Sequence, residues 1–460
     1  MVARTRGQRT SLLAILLLTS LAAVLGCAVV FLSTAVAQAD QAEREYRNYY
    51  LLAVGVLGLA YWIFARRWPS DDIPGRALQW LALLLPCYAV LQILPLPLFV
   101  LRVASPARAE LLDALAPLLI RPRFAPLSVV PSITLVHFML FASYAVVFVL
   151  VREIAGRSAA TPWLPVFPVI AIAAWQGAWG LAQYLGGGPD GYAHGTYPVR
   201  NHFAGFLEMS LPFALASPLS VLWRAFRHGR LSPTSAVKAC AGFASAALVF
   251  LGIICSLSRM GFLATMCSLA WMGALFLIAK LQGGRRWYAV ALLSLAVVLG
   301  LALVAPVPLV LRFAEHSTEG RLDVWRETLP LIAAYPLFGC GLGGYESAFQ
   351  RFKTSGLLVV QDYAHNDYLQ LLAEMGGIGF SIAAAFLFLI VARSIRASLG
   401  HPEADWQWIG VACSGALAAI LVHSVADFNL YVPANACLLA WICGLAAGIP
   451  RNAGVGNEPA

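Results

Sequence analysis

Residues 131–151 read PSITLVHFMLFASYAVVFVLV. The run carries no charged side chain. At a rise of 1.5 Å per residue it is long enough to cross the ~30 Å hydrocarbon core of a bilayer. Hydrocarbon offers no partner to free backbone N–H and C=O groups, so the expected conformation is helix. Eleven similar runs flank it, at about 11–37, 49–65, 77–95, 163–185, 202–222, 237–256, 260–280, 287–310, 366–392, 407–425 and 430–449. The expectation is an all-α polytopic membrane protein of about twelve transmembrane helices, with 1–460 as a single transmembrane domain.

The composition agrees. Of 460 residues, 60% are hydrophobic and 12% charged, with a mean hydropathy of +0.77. Soluble domains run at roughly 45–50% apolar and about 25% charged, so these values exclude a soluble enzyme, a disordered chain, a coiled coil and a collagen-like chain. The net charge of +9 reads as basic cytoplasmic loops. No Lys/Arg tract resembles a nucleic-acid-binding arm, and no nucleic-acid partner is expected. The nine cysteines form no CxxC pair, and eight fall in apolar runs. They read as buried free thiols, not as a zinc site or a disulfide framework.

Arg4, Arg6 and Arg9 precede the first run, which ends Ala35-Val36-Ala37-Gln38-Ala39. This resembles a signal peptide, but the run from Ser11 to Ala37 is far longer than a hydrophobic region of roughly 7–15 residues. An uncleaved first transmembrane helix is expected. With the N-terminus inside, the cytoplasmic segments hold 18 Lys/Arg and the short external loops 4. That bias puts both termini in the cytoplasm. Two external segments are too long for turns. Segment 96–130 contains an amphipathic stretch, 105–120, expected to lie at the outer interface. Segment 311–365 forms a large periplasmic loop with short helices at about 320–334 and 344–353.

Ionisable side chains within spans are expensive and point to function. His137, Glu208, Arg259, Glu374, His423 and Asp427 are of this kind, and each falls in the outer half of its span or at its outer end. His423 and Asp427, four residues apart, are expected to share a helix face. The pattern describes a polar cavity open to the external side.

Four stretches concentrate the polar chemistry. They are Gly195-Thr-Tyr-Pro-Val-Arg200-Asn201-His202 running on to Glu208, Ser256-Leu-Ser258-Arg259-Met-Gly261, Arg321-Leu-Asp-Val-Trp325 followed by Tyr335-Pro336-Leu-Phe-Gly339-Cys-Gly341, and His365-Asn366-Asp367-Tyr368-Leu-Gln370 running on to Glu374-Met-Gly376. In this order they resemble the O-antigen ligase and O-antigen polymerase superfamily of bacterial membrane glycan transferases, most specifically over residues 195–380. The resemblance implies a GT-C-like bundle of about twelve helices in the bacterial inner membrane, with the site facing the periplasm. It also implies transfer of a glycan from an undecaprenyl-diphosphate carrier to a hydroxyl acceptor without metal, nucleotide or other cofactor. The acceptor would be a lipid A core, another lipid-linked glycan, or a protein Ser/Thr. The processes implied are lipopolysaccharide, capsule or exopolysaccharide biosynthesis.

The residues suit that chemistry. A departing lipid diphosphate builds negative charge, and the arginine fork binds phosphate bidentately without deprotonating. Arg200 and Arg321 are the candidate clamps, with Arg259 as a third. His365 stands at the start of a helix, where the dipole disfavours imidazolium. It is the candidate base for the acceptor hydroxyl, and in the resemblance this position carries the essential histidine. Asn201, Asn366 and Tyr368 are candidate substrate-orienting groups, and His202 is a spare base. Glu374, about 13 Å further along its helix, is expected either to touch substrate or to hold a neighbouring arginine or helix. Gly339-x-Gly341-x-Gly343 lacks the βαβ context of a dinucleotide site, and the adjacent pair Asp71-Asp72 lies in an expected cytoplasmic loop. A small-solute transporter of the bicarbonate type is the competing class. It would call for charges or broken helices near the midplane and for repeated halves, and no repeat is evident.

Overall fold

The computed structural model describes residues 18–27, 76–117, 122–158, 160–187, 191–281, 319–354 and 360–450, with a few isolated positions between them. The helices are α1 (Leu18–Cys27), α2 (Arg76–Ile93), α3 (Leu98–Ala104), α4 (Pro106–Leu115), α5 (Pro131–Arg157), α6 (Phe167–Leu185), α7 (Arg200–His228), α8 (Pro233–Cys255), α9 (Arg259–Lys280), α10 (Glu319–Ala334), α11 (Tyr345–Phe349), α12 (Asp367–Gly400), α13 (Ala404–His423) and α14 (Pro433–Gly448). Among the described residues, α5, α7, α8, α9, α12 and α13 are long and apolar enough to cross a membrane, and α1, α2 and α14 are shorter apolar helices. The protein is an all-α polytopic membrane protein. Nine expected spans appear as α2, α5–α9 and α12–α14. The first is described only as α1. Spans 49–65 and 287–310, and the pair Asp71-Asp72, lie outside the described residues.

Local chemistry sets the helix ends. Proline occupies the first turn of α4, α5, α8 and α14, where its missing N–H costs nothing. Ser232 and Ser258 cap α8 and α9 through bonds from Ser235 N and Gly261 N, each at 3.2 Å. Small residues let the helices close on one another, as in other membrane bundles. A Cβ at Gly261 would sit 2.5 Å from Ala204 Cβ of α7, and one at Gly448 would sit 2.6 Å from the Arg152 carbonyl of α5.

The segment after α2 departs from expectation. It forms a two-residue antiparallel ladder, Leu96–Pro97 against Phe124–Ala125, and the expected interfacial helix shortens to α4. Ala107, Arg108 and Ala109 of α4 are buried, Ala107 in a cluster with Val324, Leu331, Tyr335 and Phe349. This helix therefore packs on the cap formed by α10 and α11. The cysteines are free, but Cys27, Cys87, Cys240 and Cys267 lie exposed on the outside of the bundle and only the other five are buried.

The largest departure is a break in α12. Gly376 takes φ 63°, ψ −175° inside the helix, a backbone conformation that glycine tolerates and side chains resist. The loop Pro336–Gly344 crosses there. Cys340 N bonds Ala373 O at 2.9 Å, Gly341 N bonds Glu374 O at 3.1 Å, and Gly377 N bonds Pro336 O at 2.7 Å. Residues 377–400 beyond the break remain long enough to span a bilayer.

Candidate functional site

The polar residues converge on the segment joining α13 to α14, residues 424–432. Asp367, the first residue of α12, fixes this segment. Its carboxylate accepts from Ser424 Oγ at 2.7 Å and Leu430 N at 3.3 Å, while its own N–H bonds the Ser424 carbonyl at 2.9 Å. Three segments distant in sequence then meet the fixed strip. Arg321 Nη1 of α10 donates to Ala426 O at 2.6 Å. Asn201 Nδ2 of α7 donates to Asp427 Oδ2 at 2.8 Å. The His365 ring lies edge-on to Phe428, centroids 5.0 Å apart, and the His202 ring meets Phe428 edge-on as well, at 4.7 Å. Tyr363 stacks on Phe428 at 4.1 Å.

Asp427 is the electrostatic centre. His202 Nε2 stands 3.6 Å from Oδ1, and His423 Nε2 stands 3.9 Å from Oδ2. Burial opposes ionisation of Asp427, but His202, His423 and Arg321 outweigh it and hold the carboxyl below the usual carboxylate range. Behind it, His423 Nδ1 contacts both oxygens of Glu208 at 2.9–3.0 Å, with both residues fully buried. The helix α13 ends at His423, so Asp427 does not share its face as expected. The turn beyond the helix brings the two together.

His365 sits one residue before the helix cap, at φ 50°. A non-glycine residue there is strained and is held by its surroundings. Burial lowers its pKa from the ordinary 6.5, Asp427 pulls it back up, and Arg321 and His202 push it down again. The net result favours neutral imidazole. Its Nδ1 is buried without a hydrogen-bond partner, as are Arg200 Nη1, His202 Nδ1 and Asn429 Nδ2, while the Nε2 atoms of His202 and His423 face the Asp427 carboxylate at 3.6 and 3.9 Å, beyond hydrogen-bond distance. Buried polar atoms are nearly always paired, so this gathering marks a place built to bind polar groups from outside the chain.

The remaining candidate residues divide. Arg200 opens α7, its guanidinium 4.6 Å above the Tyr192 ring. Tyr192 packs in turn on the α8–α9 turn, against the cluster of Ile254, Leu257 and Phe262, and Arg259 follows that turn as the first residue of α9. Asn366 caps α12, its Oδ1 accepting from Tyr368 N and Leu369 N at 3.0 and 3.1 Å. Tyr368 OH donates to Leu421 O at 2.6 Å and ties α12 to α13. Glu374, fully buried, accepts from Gly343 N, Tyr345 N, Gln370 Nε2 and Tyr431 OH at 2.7–3.3 Å. These contacts occupy both of its oxygens and make it the anchor of the Pro336–Gly344 loop. His137 sits apart from the Asp427 group, its Nδ1 3.0 Å from Ile133 O. Asp427, Glu208 and His423 were visible in the sequence as ionisable groups within spans. Of the two residues that build the strip, Asp367 gave no such signal beyond membership of a motif, and Phe428 lay outside every motif.

Fold and site together define a helical membrane protein with a partly desolvated Arg/His/Asp constellation at one end of its bundle. Residues 244–384 match the family model described as O-antigen ligase. The matched region carries Arg259, Arg321, His365 and Glu374, while Arg200 and Asp427 lie outside it. Comparison with curated proteins returns no match. The family match supports a glycan-transfer function in general.

Proposed function

We propose that this protein transfers a glycan from an undecaprenyl-diphosphate carrier to a hydroxyl acceptor at the periplasmic face of a bacterial inner membrane, with both termini cytoplasmic. The acceptor oxygen attacks the anomeric carbon as the bond to the diphosphate breaks. The electron pair leaves with the lipid diphosphate, and the hydroxyl proton passes to the His365 imidazole. Attack opposite the leaving group inverts the anomeric carbon. Arg200 and Arg321 hold the diphosphate, with Arg259 beside Arg200. Fixed charge aimed at a developing anion is usually the largest catalytic contribution in such a reaction. Asp427 keeps a negative charge next to His365 and balances the imidazolium formed there. Asn201 holds Asp427, and Asn366, Tyr368 and Glu374 act by fixing the backbone around the base.

The observation that carries this reading is the meeting of Arg321, His365 and the Asn201-His202 pair on residues 426–428, with partnerless polar atoms around them. The test is His365→Ala in purified protein, assayed for glycan transfer from a diphosphate-linked donor. A positioned general base is worth about 10²–10⁴-fold, and a loss of that size is expected. Full retained turnover removes His365 from the mechanism.

A further inference from the structure

The turn between α3 and α4 buries two polar side chains that the protein leaves unsatisfied. Ser105 precedes α4 and Arg108 stands in its first turn, with 3% and 7% of their surfaces exposed. Neither Ser105 Oγ nor Arg108 Nε has a hydrogen-bond partner among the described residues. Ser105 holds the capping position, yet its side chain accepts no capping bond. Three residues apart at the start of a helix, the two side chains share a face.

Charge makes this arrangement costly. A buried guanidinium is normally paired, and a helix N-terminus favours an anion, not a cation. The first turn of α4 holds no acidic residue. The two carboxylates further along serve other arginines, Glu110 at 3.5 Å from Arg351 and Asp113 at 3.4 Å from Arg102. Tyr335, just past α10, is the titratable neighbour whose charge bears on Arg108. Burial pushes that phenol above its ordinary range, so it brings no negative charge near neutral pH. The turn therefore presents a cation and a helix N-terminus with no anion to meet them.

The surroundings indicate where the anion comes from. Gln92, at the end of α2, donates to Phe338 O at 2.7 Å, so α3 leaves the apolar helix α2 at the cap end of the bundle. Phe99 and Val103 lie on one face of α3 and are 74% and 82% exposed. Phe124, opposite Pro97 in the ladder, is exposed as well, and Arg102 and Arg123 stand exposed beside these residues. An apolar face flanked by arginines suits a segment lying in the membrane–water interface, the depth of phospholipid headgroups. The arginine fork matches a phosphate. Arg321, a clamp of the reaction site, lies about 21 Å from Tyr335 along α10, so the two sites are separate.

We infer that the α3–α4 turn binds the phosphate of a membrane phospholipid, held by Ser105 and Arg108 while Phe99 and Val103 lie among the acyl chains. Ala107, between the two polar residues, packs with Val324, Leu331 and Tyr335, so the bound headgroup pins the cap to the membrane surface. The inference does not depend on the glycan-transfer reading.

The experiment uses the full chain in dodecyl maltoside, with native mass spectrometry and thermal melting as readouts. The probes are palmitoyl-oleoyl phosphatidylglycerol, palmitoyl-oleoyl glycerol with the same chains and no phosphate, inorganic phosphate, and methyl glucuronide as a soluble sugar anion. Wild-type protein is expected to bind phosphatidylglycerol about tenfold tighter than the phosphate-free lipid, the scale of one charge-assisted hydrogen bond, and to melt higher in its presence. Arg108→Met removes the buried charge and keeps an unbranched side chain. It is expected to melt no lower than wild type in detergent alone, and to lose both the tenfold preference and the rise in Tm. Phe99→Ser is expected to weaken both lipids alike and keep the preference. Equal binding of phosphatidylglycerol by wild type and Arg108→Met overturns the inference. So does an Arg108→Met protein that melts well below wild type in detergent alone, since the guanidinium is then satisfied within the chain. A wild-type Tm raised as far by inorganic phosphate or methyl glucuronide as by phosphatidylglycerol gives the site to a soluble anion and overturns the lipid source.

Discussion

Substitution of Glu374 by Gln tests whether this residue clamps the Pro336–Gly344 loop instead of touching substrate. Its four contacts come entirely from donors, with Gly343 N and Tyr431 OH on Oε2 and Tyr345 N and Gln370 Nε2 on Oε1. An amide replaces one oxygen with NH₂. In either orientation that group faces a backbone N–H, of Gly343 or of Tyr345, which cannot rotate to accept. One stranded buried donor costs about 1–3 kcal/mol, and the surviving bonds lose their charge assistance, about 1 kcal/mol more. The loop should open about 30-fold to 1,000-fold more often, at 1.4 kcal/mol per decade. Cys340 provides the readout. It is fully buried within the loop, and its N–H bonds the Ala373 carbonyl at 2.9 Å. Burial and the neighbouring Glu374 push its thiol well above the ordinary range, so maleimide labelling requires opening. In a background lacking the other cysteines, Cys340 labelling should accelerate by the factor above in Glu374→Gln. An acceleration below about threefold, with activity nonetheless lost, would refute the clamp and return Glu374 to the substrate.

The pH dependence tests the surroundings of His365. Burial and Arg321 lower its pKa from 6.5, so the acid limb of kcat/KM, which reports the free enzyme, should lie below 6.5 and activity should fall as pH drops through it. Arg321→Gln should move that limb up and Asp427→Asn should move it down, because Asp427 raises the His365 pKa; shifts of the same sign in both variants would contradict the arrangement. Gly376→Ala places a Cβ 2.4 Å from the Leu337 carbonyl at a backbone φ of 63°. The expected outcome is loss of monodisperse protein on size exclusion, and a normal yield with wild-type thermal stability would show that the break is not needed for folding.

The bundle was legible in the sequence because lipid imposes one simple rule, an apolar run long enough to cross. The nine expected spans now seen as α2, α5–α9 and α12–α14 follow from it. The break in α12 was not legible in the same way. Met375-Gly376-Gly377 reads as ordinary helix in an apolar setting, and its φ depends on a loop about forty residues upstream that the hydropathy pattern cannot place. The site divides along the same line. Arg321 and His365 stood out as residue types suited to phosphate binding and proton transfer. That Asn201 reaches Asp427 across 226 positions is a consequence of packing between α7 and the α13–α14 turn. Asn366 and Tyr368 were visible as polar, but their work is capping and helix tying, which polarity alone does not distinguish from substrate contact. The shortened helix α4 shows the converse, since an amphipathic face suits a protein cap as well as a membrane surface.

The broken helix bears on the choice between enzyme and transporter. Transporters use such breaks to present freed backbone groups to a substrate near the midplane, and lipid tolerates irregular backbone only where it is buried in protein or lines a cavity. Around Gly376 the freed groups are already engaged. Ala373 O receives Cys340 N, Glu374 O receives Gly341 N and Gln92 Nε2, and Met375 O receives Tyr88 OH at 2.6 Å. On the far side, Gly377 N and Ile378 N bond the carbonyls of Pro336 and Leu337. A solute at the break would have to displace the loop before finding a partner. Among the described residues, a group of buried polar atoms without hydrogen-bond partners lies instead around Asp427, on His202, His365, His423 and Asn429, with Arg200 nearby. Such capacity suits a ligand that arrives at one end of the bundle, exchanges a proton there and leaves as an anion, which is what glycan transfer from a lipid diphosphate requires.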